Sequence, residues 1–303
     1  MSSDAKILLV GDNPFHGISH LSQARSRMRG ESPADPEYAA KLVALSVENG
    51  ADGFMFSVSE KTLKILEHLR GNGGVKCLRL YAIVPCAYDY VRLASANGGV
   101  PGLAKRVIKE IVFSGNIAAT ASGLNGVLRS DLHSLVKTYL QYELSRVKRS
   151  AGKSAMLEAV LLHQVITDLC LALNLDWAFK FYVAYMYKLG LTPGFNTGNF
   201  PILLQKFQEW DINMDGVVIA APFNKAGFQM VPSKEKCEKA LADMPKPNVL
   251  AISIFAAGYL KPEEAVDYVA SLPNISGVAV GVSKEKHANE TFKLLTDKLF
   301  KGC

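Results

Sequence analysis

The chain has 303 residues, 49% of them hydrophobic and 20% charged, which excludes a disordered or collagen-like chain. Its net charge of +6 is well short of the concentrated basic face that a nucleic-acid partner needs. No apolar run reaches the ~18 residues of a membrane span, so neither nucleic acid nor membrane is expected as a partner.

The densest basic stretch, Arg146, Lys148, Arg149 and Lys153, reads as the solvated end of a helix. The five cysteines, Cys77, Cys86, Cys170, Cys237 and Cys303, are scattered with no CxxC pair. They read as reduced thiols, and the expected location is cytoplasmic. The opening MSSDAKILLV carries no basic region ahead of a long apolar core, so no signal peptide is expected.

In chain order, the apolar runs predict strands over Lys6–Val10, Gly53–Phe56, Leu78–Val84, Leu157–Leu162, Thr192–Asn196, Val217–Ala221, Val249–Phe255 and Val278–Val280. Helical patterns alternate with them. They run Pro36–Asn49, Glu60–Arg70, Asp131–Arg149, Asp168–Leu189, Phe200–Trp210, Ser233–Asp243, Pro262–Ser271 and Lys284–Leu299. Continuous apolar strands between helices predict parallel strands buried on both faces. Eight such units predict an α/β chain folded as one (β/α)8 barrel domain over residues 1–303. The first strand is not followed by GxGxxG, which disfavours a doubly wound nucleotide fold.

One interval is long. Residues 87–130 separate the third strand from the next helix, far beyond an ordinary βα loop. Pro101 and Gly115 punctuate a helical run over Gly102–Phe113 inside it. An insertion leaving the C-terminal end of a barrel strand covers the catalytic face, so it is read as a lid.

The barrel itself nominates polar residues just after its strands as site candidates. Asp12, Asn13 and His16 follow the first strand, and Asp89 follows the third. His163 and Gln164 follow the fourth, Asn196 and Asn199 the fifth, Asn224 and Lys225 the sixth. Asp12, His16, Asp89 and His163 are the candidate catalytic groups, because histidine and carboxylate pairs move protons near neutral pH. Asn13, Gln164, Asn224 and Lys225 are candidate substrate contacts. His16 and His20 stand four apart and would share a face if helical, which leaves a divalent-metal site open as an alternative.

Several segments, taken in order, resemble the aldo/keto reductase superfamily. They are ENGADGFMFSVSEKTLKIL, AMLEAVLLH, GLTPGFNTGNF, DGVVIAAPFN, NVLAISIFAAGYL and ISGVAVGVSKEKHANETFKLL. That resemblance implies a nicotinamide cofactor, NADP, held by the positions matching Asn196, Asn199, Gly258, Gly281, Ser283 and His287. It also implies a catalytic Asp–Tyr–Lys–His tetrad. Here only the histidine is retained, as His163. Phe56 or Ser57 stands at the aspartate position and Pro85 or Cys86 at the lysine position. The expectation is therefore a small-molecule enzyme with a remodelled site, not a standard aldo/keto reductase. A metal-dependent lyase, isomerase or hydrolase and a non-catalytic binding barrel are the alternatives.

Overall fold

A computed structural model describes residues 6–17, 34–71, 77–86, 132–153, 155–245 and 248–300. The insertion 87–130 read as a lid, with Asp89 in it, lies outside the described residues, as does His20. Eight parallel strands close into a barrel in the order of the chain. They are β1 Ile7–Gly11, β2 Gly53–Ser57, β3 Leu78–Val84, β4 Ala155–Leu162, β5 Thr192–Asn196, β6 Val218–Pro222, β7 Val249–Ile252 and β8 Ile275–Gly281. The helices are α1 Pro36–Glu48, α2 Glu60–Gly71, α3 Leu132–Ala151, α4 Gln164–Ala172, α5 Asp176–Lys188, α6 Phe200–Glu209, α7 Lys234–Ala242, α8 Pro262–Ser271 and α9 Glu285–Leu295. A π-helical turn, Thr296–Phe300, continues α9. Among the described residues no helix is long and apolar enough to cross a membrane.

The period of two along each strand separates two cores. Inward residues Leu9, Met55, Tyr81, Ile83, Ala159, Leu161, Val218, Ala220, Leu250 and Ala279 fill the barrel. Outward residues such as Leu8, Phe54, Leu80, Val160, Phe195, Ile219 and Val278 pack beneath the helices. At the N-terminal end of the lumen the Arg79 guanidinium grips both oxygens of Glu158. Glu158 is the extra residue of a bulge, since Leu80 pairs with Leu157 and Tyr81 with Ala159.

Three expectations shift for local reasons. The helix expected over Asp168–Leu189 is two helices. Asn174, at φ 49°, takes a left-handed conformation between them. The first of them starts earlier, at Gln164, because His163 caps it. β7 stops at Ile252 rather than Phe255, since Ser253 turns left-handed at φ 55°. β8 begins at Ile275, three residues before the apolar run suggests.

Candidate active site at the C-terminal mouth

Strand alternation decides which side chains reach the mouth. Leu161 faces the lumen, so His163, two residues on, faces the same way at the end of β4. Phe195 packs outward, so Asn196 points inward at the end of β5. By the same rule Ser57 is the inward residue ending β2.

Asp12 follows β1 and is buried. Its Oδ2 accepts a hydrogen bond from the Ser57 backbone N–H at 2.6 Å and lies 3.1 Å from His16 Nε2. One carboxylate oxygen thus ties the ends of β1 and β2 together and orients His16. A short 3-10 helix, Asn13–His16, brings the histidine back over its own strand. Gly17 then turns left-handed at φ 68° and closes that helix. The helix that would put His16 and His20 on one face therefore ends at His16. Asn13, in its first position, is exposed.

His163 does two jobs. Its backbone N–H extends the ladder to Val84 O at 2.8 Å. Its Nδ1 accepts from the Val165 backbone N–H at 3.2 Å and caps α4. A backbone amide can only donate, so Nδ1 carries no proton and the neutral ring is protonated at Nε2. Burial lowers its pKa from the ordinary histidine value, against the opposing pull of the Asp12 and Asp168 carboxylates. In its neutral form the ring therefore carries its proton on Nε2.

Asp168, on α4, is the member that sequence reasoning passed over as the start of a helix. Its Oδ1 accepts from the Thr197 hydroxyl at 2.5 Å and its Oδ2 from the Gly198 N–H at 3.2 Å. The Thr197 oxygen in turn accepts from the Asn199 N–H at 2.9 Å. Asn196 begins this loop, and its Oδ1 is buried without a hydrogen-bond partner among the described residues. Gln164 packs against the loop as well, its Nε2 lying 2.7 Å from where a side chain on Gly198 would begin.

The remaining candidates are engaged elsewhere. Asn224 is buried, and its amide both donates to Phe228 O and accepts from Phe228 N, each at 2.8 Å. It clamps the loop after β6. Lys225 is exposed and pairs with Glu264 at 2.7 Å. Gly281 has its Cβ direction filled by the Pro14 ring, 2.6 Å from the nearest atom. Gly258 and His287 are exposed, and Ser283 is buried. Among the described residues no group of three or more His, Cys, Asp or Glu side chains stands as a metal-ligand set.

Ser57 ends β2 and Pro85 follows β3, so neither supplies a carboxylate or an amine. The carboxylate at the end of β2 comes instead from Asp12, one strand away.

No protein family matches the sequence, and no curated protein does. Solved structures do match. Two from Pseudomonas aeruginosa, each described as a candidate aldo-keto reductase, superpose with TM-scores of 0.56 and 0.55 at 14% identity. In both, the match covers 98% of this chain and 93% of the other. At that identity the likeness concerns the fold alone, a closed (β/α)8 barrel.

Proposed function

We propose that the chain is a small-molecule enzyme that transfers protons on an oxygen-bearing polar substrate, with His163 and the Asp12–His16 pair as its working groups. The observation that carries this reading is that two histidines, each under the influence of Asp12, are held at different ring nitrogens. His163 has Nδ1 occupied by the helix cap, so the proton that its neutral ring would present to a substrate oxygen is the one on Nε2. His16 has Nε2 held by Asp12, which leaves Nδ1 for the substrate's proton. A neutral imidazole donating to an oxygen, with a second carboxylate-held imidazole nearby, suits proton removal next to a carbonyl. Ser57 and Pro85, which the resemblance sets against the family's aspartate and lysine, carry neither a carboxylate nor an amine for tyrosine-mediated reduction.

The test is proton exchange. The protein is incubated in D2O with a panel of small hydroxy-aldehydes and hydroxy-ketones, and deuterium uptake beside the carbonyl is followed by NMR. Uptake on at least one member, reduced tenfold or more in both His163→Gln and His16→Gln, is the expected result; such a loss corresponds to about 1.4 kcal/mol or more of barrier. Exchange at equal rates in the variants overturns the assignment.

A second reading keeps a nicotinamide nucleotide, and the buried Asn196 Oδ1 favours it. An orphaned acceptor beside a lumen histidine fits the N–H of a carboxamide. Asn196 and Asn199 would hold that end, and the exposed backbone at Gly258 and Gly281, with Ser283 and His287, would face the phosphates and adenosine. The group would supply hydride chemistry when bound. NADPH fluorescence on titration with the protein, and its loss in Asn196→Leu, separates this reading from a cofactor-free one.

A further inference from the structure

Asp168 is absent from the expected site residues, yet its side chain joins the helix after β4 to the loop after β5. It stands on α4, the helix that His163 caps. Both of its oxygens accept from the loop after β5, one from Thr197 Oγ1 at 2.5 Å and one from Gly198 N at 3.2 Å. Thr197 is fully buried, so this hydroxyl–carboxylate bond is shielded from water. Asn196, whose Oδ1 lacks a partner, is the residue immediately before the clamped pair.

We infer that Asp168 is a positioning residue for the site: it locks the Asn196 loop to the His163 helix, so that the two side chains are presented to one ligand in a fixed relation. The inference rests on the reading that His163 and Asn196 serve the same ligand. Backbone hydrogen bonds tie this loop to the β6 side, from Thr197 N to Ala220 O at 3.0 Å and from Val231 N to Gly198 O at 3.3 Å; Asp168 adds the tie to α4, which spares a ligand the cost of ordering the loop against His163. A neutral clamp would serve the geometry equally well. A carboxylate also faces His163 with negative charge and, with Asp12 on β1, favours its protonated form against the effect of burial. Asp168 therefore sets both where the loop lies and how readily the imidazole takes a proton. His16, bound to Asp12, is the other titratable group on this side.

The experiment needs no substrate, so its failure is separate from failure of the functional reading. The His163 ring is followed by NMR against pH in the wild type, Asp168→Asn and Thr197→Val, together with hydrogen exchange at the Gly198 amide. In Asp168→Asn the titration midpoint of His163 should fall, because a favourable charge is gone. In Thr197→Val the midpoint should stay put, since the carboxylate remains. The Gly198 amide should exchange several-fold faster in both variants. An unchanged midpoint in folded Asp168→Asn overturns the electrostatic half. Should that variant not fold, Thr197→Val still decides the clamp: unaltered exchange at Gly198 overturns the proposal.

Discussion

His163 illustrates how one side chain can carry both a structural and a chemical duty. As an N-cap it stabilises α4; as a buried ring it resists protonation. The pH consequence follows from the direction of the shift. Above the ordinary value of 6.5 the ring is neutral in the folded and unfolded chains alike. As the pH drops below it, the unfolded chain takes a proton that the folded ring resists, so stability falls. His163→Asn keeps a good capping oxygen and removes the titration. The variant should therefore lose less stability than the wild type between pH 7 and the folded-state midpoint, as read from urea midpoints at several pH values. Parallel curves for the two proteins would contradict the lowered pKa. Asn224 makes the opposite case. Its amide is spent on Phe228, so Asn224→Ala should cost about 1–3 kcal/mol of stability, because buried backbone groups lose their partner. Turnover per folded molecule should stay near that of the wild type.

At the level of elements, close approaches decide what the strands can carry. Gly53 is inward on β2 and pairs with Arg79 on β3, whose carbonyl occupies the place a side chain would take. Gly53→Ala must push apart two neighbouring strands and should destabilise by about 1–3 kcal/mol or more. Gly198→Ala meets only the movable end of Gln164 and the Asp168 carboxylate beyond it. It should cost less, and thermal melts of the two variants check the order. Much of this layer was legible beforehand. The apolar runs of β3 and β5 and the helix Pro262–Ser271 fall on the expected residues, because strands buried on both faces and an N-terminal proline leave strong local marks. The break inside Asp168–Leu189 was not legible, since Asn174 reads equally well as a solvated helix residue until its left-handed φ is seen. The role of Asp168 was hidden for the same reason: its partners lie about thirty residues away, on a loop that only barrel closure brings near.

The whole molecule has two unlike ends. At the N-terminal end Arg79 and Glu158 close the lumen with a bidentate pair, beside Tyr81, whose phenol burial pushes well above its usual range. That end is built for stability. Glu158→Ala leaves the guanidinium unpaired in a half-buried site and should lower the unfolding free energy by about 1–3 kcal/mol, measured by chemical denaturation, without altering the mouth. The inward turn of Glu158 could not be read from the sequence either, because the bulge that produces it appears only once β3 and β4 are paired. The C-terminal end gathers Asp12, His16, Ser57, His163, Asp168 and Asn196 from four βα units, so the eightfold pattern nominates this mouth while saying little about which polar residues act there. Asn224 and Lys225 sit at the expected height on the barrel, yet turn to neighbours of their own.

The account turns on the state of the His163 ring, which multi-bond 15N–1H correlation of the imidazole at pH 7 reports directly. The predicted result is a neutral ring protonated at Nε2 with a bare Nδ1, persisting to a pH below the ordinary histidine midpoint and collapsing to a charged ring only under stronger acid. An imidazolium at pH 7, or a proton on Nδ1, would contradict both the helix cap and the donor that the proposed chemistry requires.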